Sequence, residues 1–165
     1  MDLVQEIFNS PIGNIVTIFD KNGLCILDYE EYWVRIKKNL NKRYSNYNIS
    51  NSSSNGNVRK KLENYFSGDL NALKDVKLSI SGSDFQKKVW QELTLIRPGT
   101  TKNYSDIALS VNNKNAVRAI GLTNSLNPIA IIVPCHRVIG KNGKLSGYAG
   151  GQERKKWLLK HEKAI

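Results

Sequence analysis

Residues 103–125 run NYSDIALSVNNKNAVRAIGLTNS, two short segments of helical period on either side of a polar break. Asn103 or Ser105 caps the first, and Ile107, Ala108 and Val111 form its apolar face. Asn112-Asn113-Lys114 turns the chain, and a second helix runs from Asn115 to about Ser125. Two short helices joined by so tight a turn predict a helix-turn-helix. Ala116, Ala119 and Gly121 keep the second helix slim around Arg118, which suits it to press against a groove or to pack closely on a neighbour.

The flanking residues extend this into a mainly helical domain over 82–165. Ser83 caps a helix running to about Ile96 with Phe85, Val89, Trp90 and Leu93 inward, and Arg97-Pro98-Gly99 stops it. After the break at Asn127-Pro128, the apolar run Ile129–Val133 reads as a buried strand. Gly140 to Gly151 reads as a hairpin or wing. A last helix from Gln152 to about Lys163 turns Trp157, Leu158 and Leu159 inward and carries a basic outer face. Upstream, 1–81 reads as a separate α/β domain. Residues 3–8, 14–19 and 24–29 are expected as strands, with Asn22-Gly23 as the second turn because both residues tolerate positive φ. Residues 31–44 and 58–66 have helical period, Asn48–Asn57 is a low-complexity Asn/Ser loop, and Val76–Ile80 is a last strand. The fold class is therefore α+β in two domains, divided at Ser81-Gly82-Ser83.

Composition narrows the classes of function. Of 165 residues, 40% are hydrophobic and 24% charged, enough apolar material for a core. No run reaches the ~18 apolar residues of a membrane helix, and the acidic Met1-Asp2 start lacks a signal peptide's pattern. A cytoplasmic protein without membrane contact is expected. Cys25 and Cys135 stand 110 residues apart, which is neither a disulfide framework nor a metal-binding pair. The net charge is +11, and residues 82–165 carry most of it: 14 Lys and Arg against five Asp and Glu. A cationic half favours a polyanion, of which nucleic acid is the commonest in a cell.

Chemistry concentrates at Pro134-Cys135-His136-Arg137. A thiol attacks only as thiolate, so it needs a base or a cation nearby, and His136 and Arg137 supply both types. Neighbours in extended chain face opposite ways, so His136 is expected to reach Cys135 through water. A histidine base is usually oriented by a carboxylate. Asp84, Glu92, Asp106, Glu153 and Glu162 are the available acids, and spacing does not choose among them. Cys25, between Leu24 and Ile26 with no basic neighbour, reads as an inert core thiol.

Ile131 to Val138 resembles the active-site signature of the methylated-DNA-protein-cysteine methyltransferases, the 6-O-methylguanine-DNA methyltransferase family. Residues 85–90, 101–104, 116–121, Asn127-Pro128, Ser146-Gly147-Tyr148 and Trp157 through Glu162 follow in that family's order and spacing. The match covers nearly all of 83–163, while over 1–80 only the strand-helix plan and length agree. The resemblance implies a ribonuclease-H-like α/β domain at 1–81 and a winged helix-turn-helix domain at 82–165. It implies Cys135 as alkyl acceptor, His136 as water-mediated base, Glu162 orienting the imidazole, and Asn127 bracing the loop. Tyr104 would rotate the nucleotide and donate a hydrogen bond to the departing guanine. Arg118 would enter the duplex as the base leaves, with Tyr104, Ser105, Gln86, Asn113 and Lys141 as further DNA contacts.

The pocket would use backbone groups of Val138 and Cys135, the Tyr148 ring and the Ala149 amide. The implied partner is double-stranded DNA carrying 6-O-methylguanine, with 4-O-methylthymine as a second candidate substrate. The protein would act once, as a monomer, without cofactor or metal. Base flipping would be obligatory, because a thiolate cannot reach the alkylated oxygen inside the stack. Three positions depart from some relatives: Ala149 lacks a hydroxyl, Ala130 replaces a proline, and the first domain has too few Cys and His for a zinc site. A non-reactive damage-recognition module and a thiol hydrolase are the competing classes. The presence of Cys135 argues against the first, and the basic helix-turn-helix half argues against the second.

Overall fold

Short apolar stretches, continuous and buried over 15–18 and 24–29, form the first three strands, β1 (Asp2–Ser10), β2 (Gly13–Asp20) and β3 (Gly23–Tyr29), as consecutive antiparallel partners. The computed structural model describes residues 1–53, 57–145 and 147–165. Ser54-Asn55-Gly56 of the Asn/Ser stretch and Ser146 of the Ser146-Gly147-Tyr148 motif lie outside the described residues. The chain divides into two compact units, Met1–Ser81 and Gly82–Ile165. No helix among the described residues is long and apolar enough to cross a membrane.

In the first unit, a 3-10 turn at Glu30–Tyr32 precedes helix α1 (Trp33–Arg43), which brings Ile36 and Leu40 against Leu3, Val16, Ile18, Cys25 and Ile26. Strand β4 (Asn48–Asn51) then adds to β1 in parallel, giving the order β3-β2-β1-β4. A loop was expected here, because Asn and Ser hide the one apolar residue, Ile49. Main-chain pairing with β1, which side-chain composition does not report, overrides it. Helix α2 (Val58–Phe66) buries Val58, Leu62 and Tyr65 and stacks Phe66 on Phe8.

The β2–β3 turn rests on Asp20, whose carboxylate accepts the amides of Asn22 and Gly23, rather than on positive φ at Asn22. Gly23 is required for space, since a Cβ there would lie 2.6 Å from the Lys77 carbonyl oxygen. The strand expected at Val76–Ile80 is only a bridge between Leu78 and Leu24. Ser79 ties this segment down: its amide donates to Leu24 O (2.8 Å), its hydroxyl to Asp20 (2.8 Å), and its carbonyl accepts from Arg43 (2.6 Å).

The second unit begins with α3 (Asp84–Thr94), held by a reciprocal cap between Ser83 and Gln86 and burying Val89, Trp90 and Leu93. A two-residue strand β5 (Lys102–Asn103) leads into α4 (Tyr104–Ser110), capped by Asn103 and Asp106, so that Ser105 lies inside the helix. The turn passes through Asn112 at φ 57°, and α5 (Val117–Ser125) starts two residues later than expected. Ile129–Val133 is a buried turn and not a strand: Val133 N–H returns to Ile129 O, and Ile131 sits at φ 70°. Two prolines, Pro128 and Pro134, and the side chain of Asn127 close it, and only Ile129 makes a β-bridge.

Next come a 3-10 turn, Cys135–Arg137, and β6 (Val138–Ile139), parallel to β5. Gly140 to Gly151 forms turns with no strand among its described residues, where a hairpin or wing was expected. Helix α6 (Gln152–His161) buries Leu158 and Leu159, and half-buried Trp157 stacks on His161. Lys155, on this helix whose outer face was expected to be basic, is fully buried.

Candidate active site

The 3-10 turn sets Cys135, His136 and Arg137 about 120° apart around its axis, since three residues complete a turn. They are therefore not on opposite faces of an extended chain. All three are buried, Cys135 at 3% exposure. The Cys135 amide donates to Val133 O (2.8 Å), and its carbonyl accepts the Val138 amide that ends the turn. Asn127 Nδ2 donates to Val133 O (2.7 Å) while its Oδ1 accepts the Ile129 amide (2.9 Å), so one side chain closes both ends of the preceding loop.

Among the five candidate acids, Glu162 is the one that meets the imidazole. Its Oε1 lies 2.9 Å from His136 Nε2, with both side chains fully buried. Arg137 grips the same carboxylate in bidentate fashion, Nε to Oε2 at 2.9 Å and Nη2 to Oε1 at 2.7 Å, and donates to Ile96 O at 2.6 Å. Glu162 caps the C-terminal end of α6, where the helix dipole disfavours an anion. Burial raises its carboxyl further, but hydrogen bonds from Arg137 and His136 reverse this and hold it well below the carboxylate range. Burial lowers the His136 pKa, against the pull of Glu162 and with the help of Arg137 and Lys155. The imidazole is therefore neutral near pH 7, and its Nδ1 is buried without a hydrogen-bond partner. Such an atom is a ready proton acceptor.

Two tyrosines and a lysine border this centre. Tyr148 lies edge-on to His136, with ring centroids 6.3 Å apart. Tyr104, half-buried at the start of α4, is raised in pKa by burial and by the charge of Cys135. Its hydroxyl comes within 3.0 Å of where a Cβ on Gly147 would stand, a close approach at a position whose φ of 76° itself favours glycine. Lys155 Nζ donates to Val138 O at 2.5 Å; burial brings it down to about 8, opposed by Cys135. Sequence reasoning missed Lys155 because a Lys among Arg154, Lys156 and Lys160 reads as a solvated face. Asn124, fully buried with Nδ2 on Cys135 O at 3.2 Å, was missed as one polar residue in a helix.

Arg118, Asn113 and Lys141 are exposed, Ser105 and Ala149 are half-buried, and Gln86 spends its Oε1 on the Ser83 cap. Cys25 is buried, donates to Ile18 O at 3.2 Å, and is raised by burial, as an inert thiol should be.

A buried thiol beside an imidazole held by a carboxylate, on an α+β frame of two units, is equipped for nucleophilic chemistry at sulfur. The second unit matches the family model described as 6-O-methylguanine DNA methyltransferase, DNA binding domain, over residues 84–164; the first matches that family's ribonuclease-like domain over residues 3–80. The chain belongs to the methylated-DNA-protein-cysteine methyltransferase family. A relative of that name from Methanosarcina acetivorans is 46% identical over 160 residues, covering 97% of this chain and 98% of the relative. One from Salmonella typhimurium is 38% identical over 163 residues, covering 97% and 95%. Among solved structures, Mycobacterium tuberculosis OGT in complex with DNA superposes with a TM-score of 0.81 at 37% identity, covering 99% of this chain and 93% of that one.

Proposed function

We propose that this protein repairs 6-O-methylguanine in double-stranded DNA by moving the methyl group onto Cys135. The observation that carries the reading is the buried Glu162–His136 pair, its free imidazole nitrogen on the residue next to the thiol. In the reaction His136 takes the thiol proton through a bridging water, with Glu162 fixing the ring and supporting its positive charge. The thiolate attacks the methyl carbon. A carbon–sulfur bond forms, the carbon–oxygen bond breaks, and its electron pair leaves with the guanine. Tyr104 donates a hydrogen bond to the ring as it departs. The thioether has no easy way back, so each molecule acts once.

The architecture we assign is a ribonuclease-H-like domain at 1–81 and a winged helix-turn-helix at 82–165. The mixed sheet of the first unit and the short α4–α5 pair of the second support it. On DNA, exposed Arg118 on α5 fills the space of the extruded base. Ser105, Gln86, Asn113 and Lys141 contact the backbone. Val138, Cys135, Tyr148 and Ala149 line the base pocket. The test is intact mass after incubation with a methylated duplex. A gain of one CH2, mapped to the peptide holding Cys135 and absent in Cys135→Ser, is expected. No gain by the unaltered protein would overturn the reading.

A further inference from the structure

The end of α5 carries Asn124 in its last turn and Asn127 just beyond it, and the two amides clamp carbonyls that flank the thiol. Asn127 holds Val133 O at 2.7 Å, and Asn124 holds Cys135 O at 3.2 Å. With the Val138 amide on the same oxygen, both lone pairs of the Cys135 carbonyl are engaged, and its N–H is tied to Val133. Asn127 belongs to the reading above, whereas Asn124 has no part in it.

Asn124 is 1% exposed, and its Oδ1 is buried with no hydrogen-bond partner. A core selected for stability alone avoids such an acceptor, because an apolar side chain of similar volume fills the space without one. The opposite end of the amide explains its presence. Only with Nδ2 turned to Cys135 does the carbonyl gain its second donor, and that orientation leaves Oδ1 alone. Reversing the amide would set two acceptor oxygens against each other.

We propose that Asn124 is a positioning residue for alkyl transfer: it fixes the plane of the Cys135–His136 peptide, and with it the direction in which the thiol meets the methyl carbon. This rests on the function proposed above. Displacement at carbon requires the sulfur in line with the departing oxygen, so a peptide free to rock loses rate without losing bound DNA.

The experiment compares wild type with Asn124→Leu, which fills the volume without polar atoms, and Asn124→Ala, which removes the amide altogether. Single-turnover transfer at saturating methylated duplex, duplex affinity and thermal melting are measured on each. Transfer is expected to slow about ten- to a hundred-fold in both variants. Affinity should be unchanged, and the melting temperature of Asn124→Leu equal to wild type or higher. Wild-type transfer rates in the folded variants would overturn the proposal. So would a rate loss that merely tracks the unfolded fraction or the loss of affinity. If Asn124→Leu does not fold, Asn124→Ala decides by the same criteria. A wild-type chain that takes no methyl would refute the proposed function itself, whereas normal transfer by wild type and variants alike refutes only the role of Asn124.

Discussion

Glu162 serves two partners at once, and this changes what its loss should do. From sequence, Glu162→Gln would spare the fold, because Trp157, Leu158 and Leu159 anchor the helix. In the structure the substitution also strips a buried guanidinium of its counter-ion. Breaking such a pair from one side costs about 3–5 kcal/mol, so a large fall in urea-denaturation stability is expected. His136→Ala is the cleaner probe of catalysis, since it leaves the Arg137–Glu162 pair intact. Its transfer rate at saturating DNA should fall by ~10²–10⁴-fold. The pH dependence has a definite sign. His136 is lowered on folding, so the unfolded chain binds a proton that the folded chain refuses, and stability declines as pH falls below about 6.5. Glu162 is also lowered, so its contribution is complete above about 4.3 and drains away beneath it. The acid limb of the transfer rate should likewise lie below the free-histidine value. A limb at or above it in single-turnover kinetics would show the imidazole is not held neutral.

At the scale of elements, the cap of α4 does more than end a helix. Asn103 accepts the Asp106 amide and Asp106 accepts that of Asn103, both at 2.9 Å, and the next residue is Tyr104. Asn103→Ala should cost ~1 kcal/mol of stability. By loosening the first turn it should slow transfer more than the equally capped Ser83→Ala; equal rates in the two variants would detach Tyr104 from the reaction. Such caps, and the helices they begin, were readable because the signal is local: a capping residue, an acid or amide three positions on, and an apolar stripe. Strand β4 and the turn at 129–133 were not. The first depends on a partner strand more than forty residues away. In the second, three β-branched residues in a row imitate a strand while Asn127 and two prolines enforce a closed loop. The active site divides the same way. Cys135 and His136 announce themselves as neighbours, but the choice of Glu162 among five acids, and the burial of Lys155 and Asn124, exist only once α5 and α6 are folded.

For the whole molecule, charge and fold separate into two kinds of work. The second unit holds most of the +11 net charge, and of its cations Arg137 and Lys155 are buried while Arg118, Lys141 and others remain at the surface. Duplex affinity should fall steeply with salt as condensed counterions are released. Arg118→Ala should impair transfer from duplex more than reaction with free alkylguanine base, which needs no extrusion; equal losses would make Arg118 a structural residue. The first unit works by closure. Ser79, two residues from its end, bonds to Asp20, Leu24 and Arg43. A chain emerging from the ribosome therefore lacks the bonds of Ser79 to Asp20, Leu24 and Arg43 until nearly the whole unit has been synthesised. Nascent chains stalled before Ser79 emerges should be cut readily by protease, while those exposing all of Met1–Ser81 should resist. With that outcome, the order of translation would leave this half of the protein vulnerable for most of its own synthesis and then secure it within a handful of codons.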